Sequence, residues 1–159
     1  MIRSQNIRLL LYGLGIVAIQ LILFRHLRIF GAQADLVLLF VIWICTKKTK
    51  TFCLLAAASF GVLQDALTDL WGLNMFSKTL LVFILHGYFN RISQNRLIFW
   101  QVLLIIFSSA VLHNVILYSV SLFSELYSAE HILLSFLLIS PLFTALTGSF
   151  LHIVREDSL

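Results

Sequence analysis

Among the ionisable side chains inside otherwise apolar runs, Asp65, Lys78 and His113 are the natural starting point for chemistry. On insertion scales a carboxylate within a membrane helix costs on the order of 2.5–3.5 kcal/mol, so such residues mark ion pairs, relays or contact sites rather than filler. Asp65 also closes a series, because Ala57, Gly61 and Asp65 recur every four residues and so share one helix face. Small residues at that spacing let two helix backbones approach closely in lipid. That face is read either as ordinary helix packing inside the bundle or as a partner-contact or gating stripe.

Catalytic constellations are missing. There is no H-E-x-x-H, no G-x-S-x-G, no phosphate-cradling glycine loop and no carboxylate cluster, and the five histidines lie on separate segments. Cys45 and Cys53 flank Lys47-Lys48-Thr49-Lys50 without C-x-x-C or Cys/His ligand spacing, so they are expected as free thiols, with no metal and no cofactor. Gln20, His86 and Gln101 stand alone on apolar stretches, where interhelical hydrogen bonding is the default.

The elements that position these residues follow from composition. With 60% hydrophobic and 11% charged residues, against roughly 25% charged in an ordinary soluble domain, a water-soluble fold is excluded. The net charge of +4 does not point to nucleic acid, because the Lys and Arg residues punctuate apolar runs instead of gathering on one solvated face. Six apolar segments lie between charged or turn-rich breaks: Leu9 to Phe24, Ile29 to Thr46, Thr51 to Leu67, Leu73 to Phe89, Leu97 to Phe123 and Ile132 to Val154. In lipid these must be helical, since an unpaired backbone group costs several kcal/mol there. The expectation is one all-α membrane domain over residues 1–159. Its second segment is short or irregular, because Gln33 and Asp35 leave only Leu36 to Thr46 cleanly apolar. Ala32-Gln33-Ala34 imitates a signal-cleavage triplet, but Arg25 and Arg28 separate it from the apolar run, so cleavage is not expected.

Charge sets the orientation. Six crossings from an inside N-terminus place Arg3, Arg8, Lys47, Lys48, Lys50, Arg91, Arg96 and Arg155 in the cytosol, against Arg25, Arg28 and Lys78 outside. If the second segment failed to cross, that bias would invert, so both termini are expected in the cytosol. Counting 1.5 Å per residue, Asp65 lies roughly 20 Å along the third helix and His113 roughly 24 Å along the fifth, with Lys78 about 8 Å below the outer end of the fourth. The matched depths suggest an outer polar cluster of Asp65, Lys78, His113 and Asn114, with Asn74 and Asp69 above it. Alternatively, Lys78 snorkels to the headgroups and Asp65 needs no ion pair. Gly72 after Trp71 suits a tight outer turn, with Trp71 at the headgroup belt, and Pro141 predicts a kink in the last helix.

Ala34-Asp35-Leu36-Val37-Leu38-Leu39, the basic loop Lys47 to Lys50, Phe60-Gly61-Val62-Leu63-Gln64-Asp65 and Gly72-Leu73-Asn74 together resemble the rod shape-determining protein MreD family. That family typically shows Pro-Asp before its second apolar run, where this chain has Ala34-Asp35, then G-x-x-x-D late in the third and a Leu-Gly-x-Asn-like turn. Beyond Phe89 the likeness is one of hydropathy. The resemblance implies a non-enzymatic subunit of the bacterial cell-elongation machinery in the cytoplasmic (inner) membrane. Such a subunit serves cell shape and peptidoglycan synthesis with the bitopic scaffold MreC, the actin-like MreB and the RodA/penicillin-binding-protein synthase. It also implies a fold similar to the substrate-binding subunits of energy-coupling-factor transporters. A vitamin-like substrate-binding subunit is therefore the main alternative, with Asp65, Asn74 and His113 lining an outward pocket. Against it, the first helix has Gly13, Gly15 and Ala18 but no alanine pair at four-residue spacing for docking a coupling subunit. A small lipid-acting enzyme is the third reading.

Overall fold

A computed structural model describes residues 2–24, 32–92, 97–122 and 135–156. Arg25, Arg28 and Arg96, on which the expected orientation partly rests, lie outside the described residues. Among the described residues the chain is all helical, with no strand. The six helices are α1 (Ile2–Ile19), α2 (Leu36–Cys45), α3 (Lys50–Thr68), α4 (Leu73–Ile92), α5 (Phe99–Ser121) and α6 (Ser140–Glu156), with π-helical turns at Gln20–Phe24 and Ser135–Ile139. Three stretches, Lys50–Thr68, Phe99–Ser121 and Phe136–Ile153, are long and apolar enough to cross a membrane; Ile7–Ile22 and Leu36–Cys45 are shorter apolar helices.

α2 is the centre of the bundle. Only ten residues long, it buries seven of them and touches α1, α3, α4 and α6. A helix surrounded on most sides reads as hydrophobic all round, which is why Leu36 to Cys45 contains no polar residue to mark a face. Around it, Val17 of α1, Phe60 of α3, Leu81 and Val82 of α4 and Ala110 of α5 complete the core. The free thiols of Cys45 and Cys53 are both buried there.

Pairing is most extensive between α3 and α4 and between α5 and α6. At the first seam Gly61 is the closest point: a Cβ there would collide with the backbone of Met75. Ala57 and Asp65, on the same face, are buried with it. The connecting turn bends through Asp69 (φ 58°), Trp71 (φ 37°) and Gly72 (φ 88°). Only glycine adopts that conformation without Cβ strain, and Gly72 occupies the most extended of the three positive values. Trp71 is 87% exposed at the tip.

The irregularity expected at Pro141 falls one turn earlier. Pro141 occupies the first turn of α6, and the π-helical turn Ser135–Ile139 ends just before it. Proline supplies no N–H for the carbonyl four residues back, so the disruption lies in the turn ahead of it while α6 itself starts cleanly.

Candidate functional site: a buried polar junction at the start of the central helix

Residues 32–35 lead into α2 without helical bonding, yet Ala32 and Ala34 are buried. Buried backbone without helical bonding must find its hydrogen bonds elsewhere in the protein. Here α6 and the turn that follows α1 supply them. Gln20, first in the π-helical turn after α1, accepts the Val37 N–H through Oε1 at 2.9 Å, Ser140 Oγ of α6 donates to the Gln33 carbonyl at 2.7 Å, and Thr144 Oγ1 of α6 accepts the Asp35 N–H at 3.0 Å. Asp35 caps α2 itself, its Oδ1 accepting the Leu38 N–H at 2.8 Å.

The other oxygen of Asp35 reaches α4. Lys78 Nζ lies 2.8 Å from Asp35 Oδ2, with the lysine side chain wholly enclosed and the aspartate 16% exposed. Lys78 also donates to Asn74 Oδ1 at 3.0 Å and lies 3.4 Å from His113 Nε2 of α5. An ammonium has three protons and no lone pair, so these three neighbours account for all of them. With Lys78 charged, His113 Nε2 is the acceptor and its Nδ1–H donates to Asn114 Oδ1 at 3.1 Å. Asn114 Nδ2 then donates to the Phe136 carbonyl in the turn before α6, at 2.6 Å. One directed set of donors thus runs from α4 through α5 to α6.

Asp65 does a different job. Its Oδ1 accepts from Asn74 N at 3.0 Å and from Asn74 Nδ2 at 2.9 Å, and its Oδ2 accepts from Met75 N at 2.9 Å. The first N–H groups of a helix have no partner within it, so α3 supplies the cap for α4 from across the turn. The carboxylate also sits at the positive end of the α4 dipole.

The structure therefore brings Asp65, Asn74, Lys78, His113 and Asn114 into one buried group, but the carboxylate facing Lys78 is that of Asp35, where pairing with Asp65 was expected. Lys78 does not snorkel, being fully covered. Asp69, expected above the cluster, is exposed as the left-handed C-cap of α3. Asp35, Gln20, Ser140 and Thr144 complete the junction and were not singled out as members of it. Asp35 carried a usable signal: a lone carboxylate immediately before an apolar run. Ser140 and Thr144 carried none beyond polar residues four apart on an apolar helix.

Of the other isolated polar residues, His86 Nε2 lies 3.1 Å from the Lys48 carbonyl in the α2–α3 loop. Gln101 turns out to serve its own helix, Oε1 accepting the Ile98 N–H at the start of α5. Among the described residues no group of three His, Cys, Asp or Glu side chains is placed to hold a metal ion. Compared with protein-family models, with curated proteins and with solved structures, the chain gives no match.

Proposed function

We propose that this chain is a non-enzymatic membrane adaptor of the MreD type, a subunit of the bacterial rod elongation complex that engages an MreC-like bitopic scaffold through its lateral helix faces. The observation that carries this reading is the self-sufficiency of the polar junction. Asp35, Asp65, Asn74, Lys78, His113 and Asn114 spend their hydrogen bonds on each other and on nearby backbone. A substrate pocket would instead aim some of them at a ligand. What the helices turn outward is apolar, as with Leu11 and Leu14 of α1, Leu55 of α3, Phe83 and Tyr88 of α4 and Phe150 of α6.

In this reading all six helices cross, both termini lie in the cytosol, and the fold is that of energy-coupling-factor substrate-binding subunits. α2 spans although it is short: ten helical residues rise about 15 Å and the four non-helical residues before it can add about 13 Å. That total is close to the roughly 30 Å hydrocarbon core. α4 crosses in spite of its polar residues because Asn74, Lys78 and His86 are buried against protein. The RodA/penicillin-binding-protein synthase and MreB would then be reached through the scaffold.

Affinity purification of the chain in mild detergent, followed by identification of co-purifying proteins, tests the assignment. Recovery of MreC is the expected outcome. Recovery of an ATPase-coupled transport module, or a small molecule retained in stoichiometric amount, would replace it with the transporter-subunit reading.

A further inference from the structure

The α1–α2 flank differs from the junction in having an open apolar groove of about 450 Å³, lined by Tyr12, Gly15, Ile16 and Ile19 of α1 and by Phe40 and Trp43 of α2. Phe40 and Trp43 stack with ring centroids 5.7 Å apart and form one wall. Gly15 also lines the groove, where a Cβ would meet no described residue within 4 Å. The two helices are antiparallel, because Gln20 near the end of α1 meets Val37 at the start of α2. Their basic ends therefore lie together. Arg8 stands one turn before Tyr12 on the groove-facing side of α1 and is exposed. Lys47, also exposed, follows Trp43 in a turn bonded back to Ile44.

From this arrangement we infer that the α1–α2 groove is a binding site for one anionic phospholipid, an acyl chain lying along Gly15 and the Phe40–Trp43 wall and the phosphate held by Arg8 and Lys47. The commitment to a lipid, as opposed to a partner helix, rests on charge complementarity at one end and an unbroken apolar lining above it. Basic recesses between membrane helices on the cytoplasmic side recognise acidic headgroups. In the six-crossing orientation Tyr12 and Trp43, each four residues from a basic side chain, are placed to border the headgroups. The inference goes beyond the adaptor role and stands on the membrane orientation alone, so it survives or fails independently of MreC recovery.

The experiment is native mass spectrometry of the full chain in mild detergent, titrated with phosphatidylglycerol or phosphatidylcholine of equal chain length. One phosphatidylglycerol per chain is expected, retained in preference to phosphatidylcholine. Each cation near the headgroup contributes about fivefold, so Arg8→Gln with Lys47→Gln lowers the preference by roughly twenty-five-fold. Gly15→Leu, which places a side chain in the groove, reduces retention of both lipids, whereas Arg91→Gln on α4 leaves the preference unchanged. Thermal unfolding followed through the buried thiols verifies that each variant is folded. Equal retention of the two lipids, or retention indifferent to Gly15→Leu, overturns the proposal. So does a Gly15→Cys variant that cross-links in membranes to another protein's helix.

Discussion

The seam between α3 and α4 and the groove between α1 and α2 each centre on a glycine, and they use it in opposite ways. At Gly61 the missing side chain lets the Met75 backbone come into contact, which brings the first N–H groups of α4 within reach of Asp65. At Gly15 the missing side chain leaves space that no other described residue fills. The difference follows from what each region must satisfy. The seam holds a carboxylate and helix-terminal donors that lipid cannot solvate, so it closes until every one is matched. The groove is walled by apolar groups, which bear lipid contact at no cost, so nothing drives it shut.

Removing Lys78 should break the closed side most severely. Lys78→Ala leaves Asp35 and Asn74 without their buried donor, and breaking one partner of a buried ion pair costs about 3–5 kcal/mol. The measurement is thermal unfolding in detergent with a thiol-reactive fluorophore, because Cys45 and Cys53 are covered only in the folded chain. The same pair can be located by exchange. Asp35→Lys with Lys78→Asp should accumulate above either single variant, though below wild type because the Leu38 N–H loses its cap. Asp65→Lys with Lys78→Asp should gain nothing over its singles, and a rescue there would move the ion pair back to Asp65.

Asp65→Ala comes next, at about 3 kcal/mol, since two backbone donors and the Asn74 amide lose a charged acceptor. Hydrogen exchange confined to the first turn of α4 would distinguish this loss of a cap from general unfolding. Gly61→Val forces the α3 and α4 backbones apart, and overpacking of this kind costs about 1–3 kcal/mol in the same unfolding measurement. Gly15→Ala is the smallest effect and of opposite sign. With room for the Cβ and better helix propensity it should gain up to about 1 kcal/mol, and a loss there would mean that the groove is closer packed than its geometry shows.

The helices were legible because lipid allows so few alternatives. Apolar runs bounded by basic clusters mark them, and the Gln33-Ala34-Asp35 interruption marks the short central one. The Ala57–Gly61–Asp65 face was legible from periodicity alone. The partner of Lys78 was not. Depth along a helix is recoverable from the sequence, but azimuth around the bundle is not, and Asp35 and Asp65 lie at similar depth on different helices. Gln20 was recognisable as a hydrogen-bonding residue, yet its target, the Val37 backbone, exists only because α2 is preceded by non-helical chain. Pro141 displaced the irregularity to the turn before it for a reason visible only once the start of α6 is known.

The sequence separation of the Asp35–Lys78 pair has a consequence for biogenesis. The two residues are 43 positions apart, with α2, the basic loop and all of α3 between them. During synthesis into a bilayer, the carboxylate at the head of the innermost helix must wait for its counter-charge until the first turns of α4 have left the ribosome. Chains halted or truncated before that point would hold an uncompensated acid at the membrane boundary and a half-wrapped α2, which makes them natural targets for membrane proteases. The ion pair thus closes only when α4 arrives, and the bonds from Ser140 and Thr144 to the start of α2 only when α6 follows.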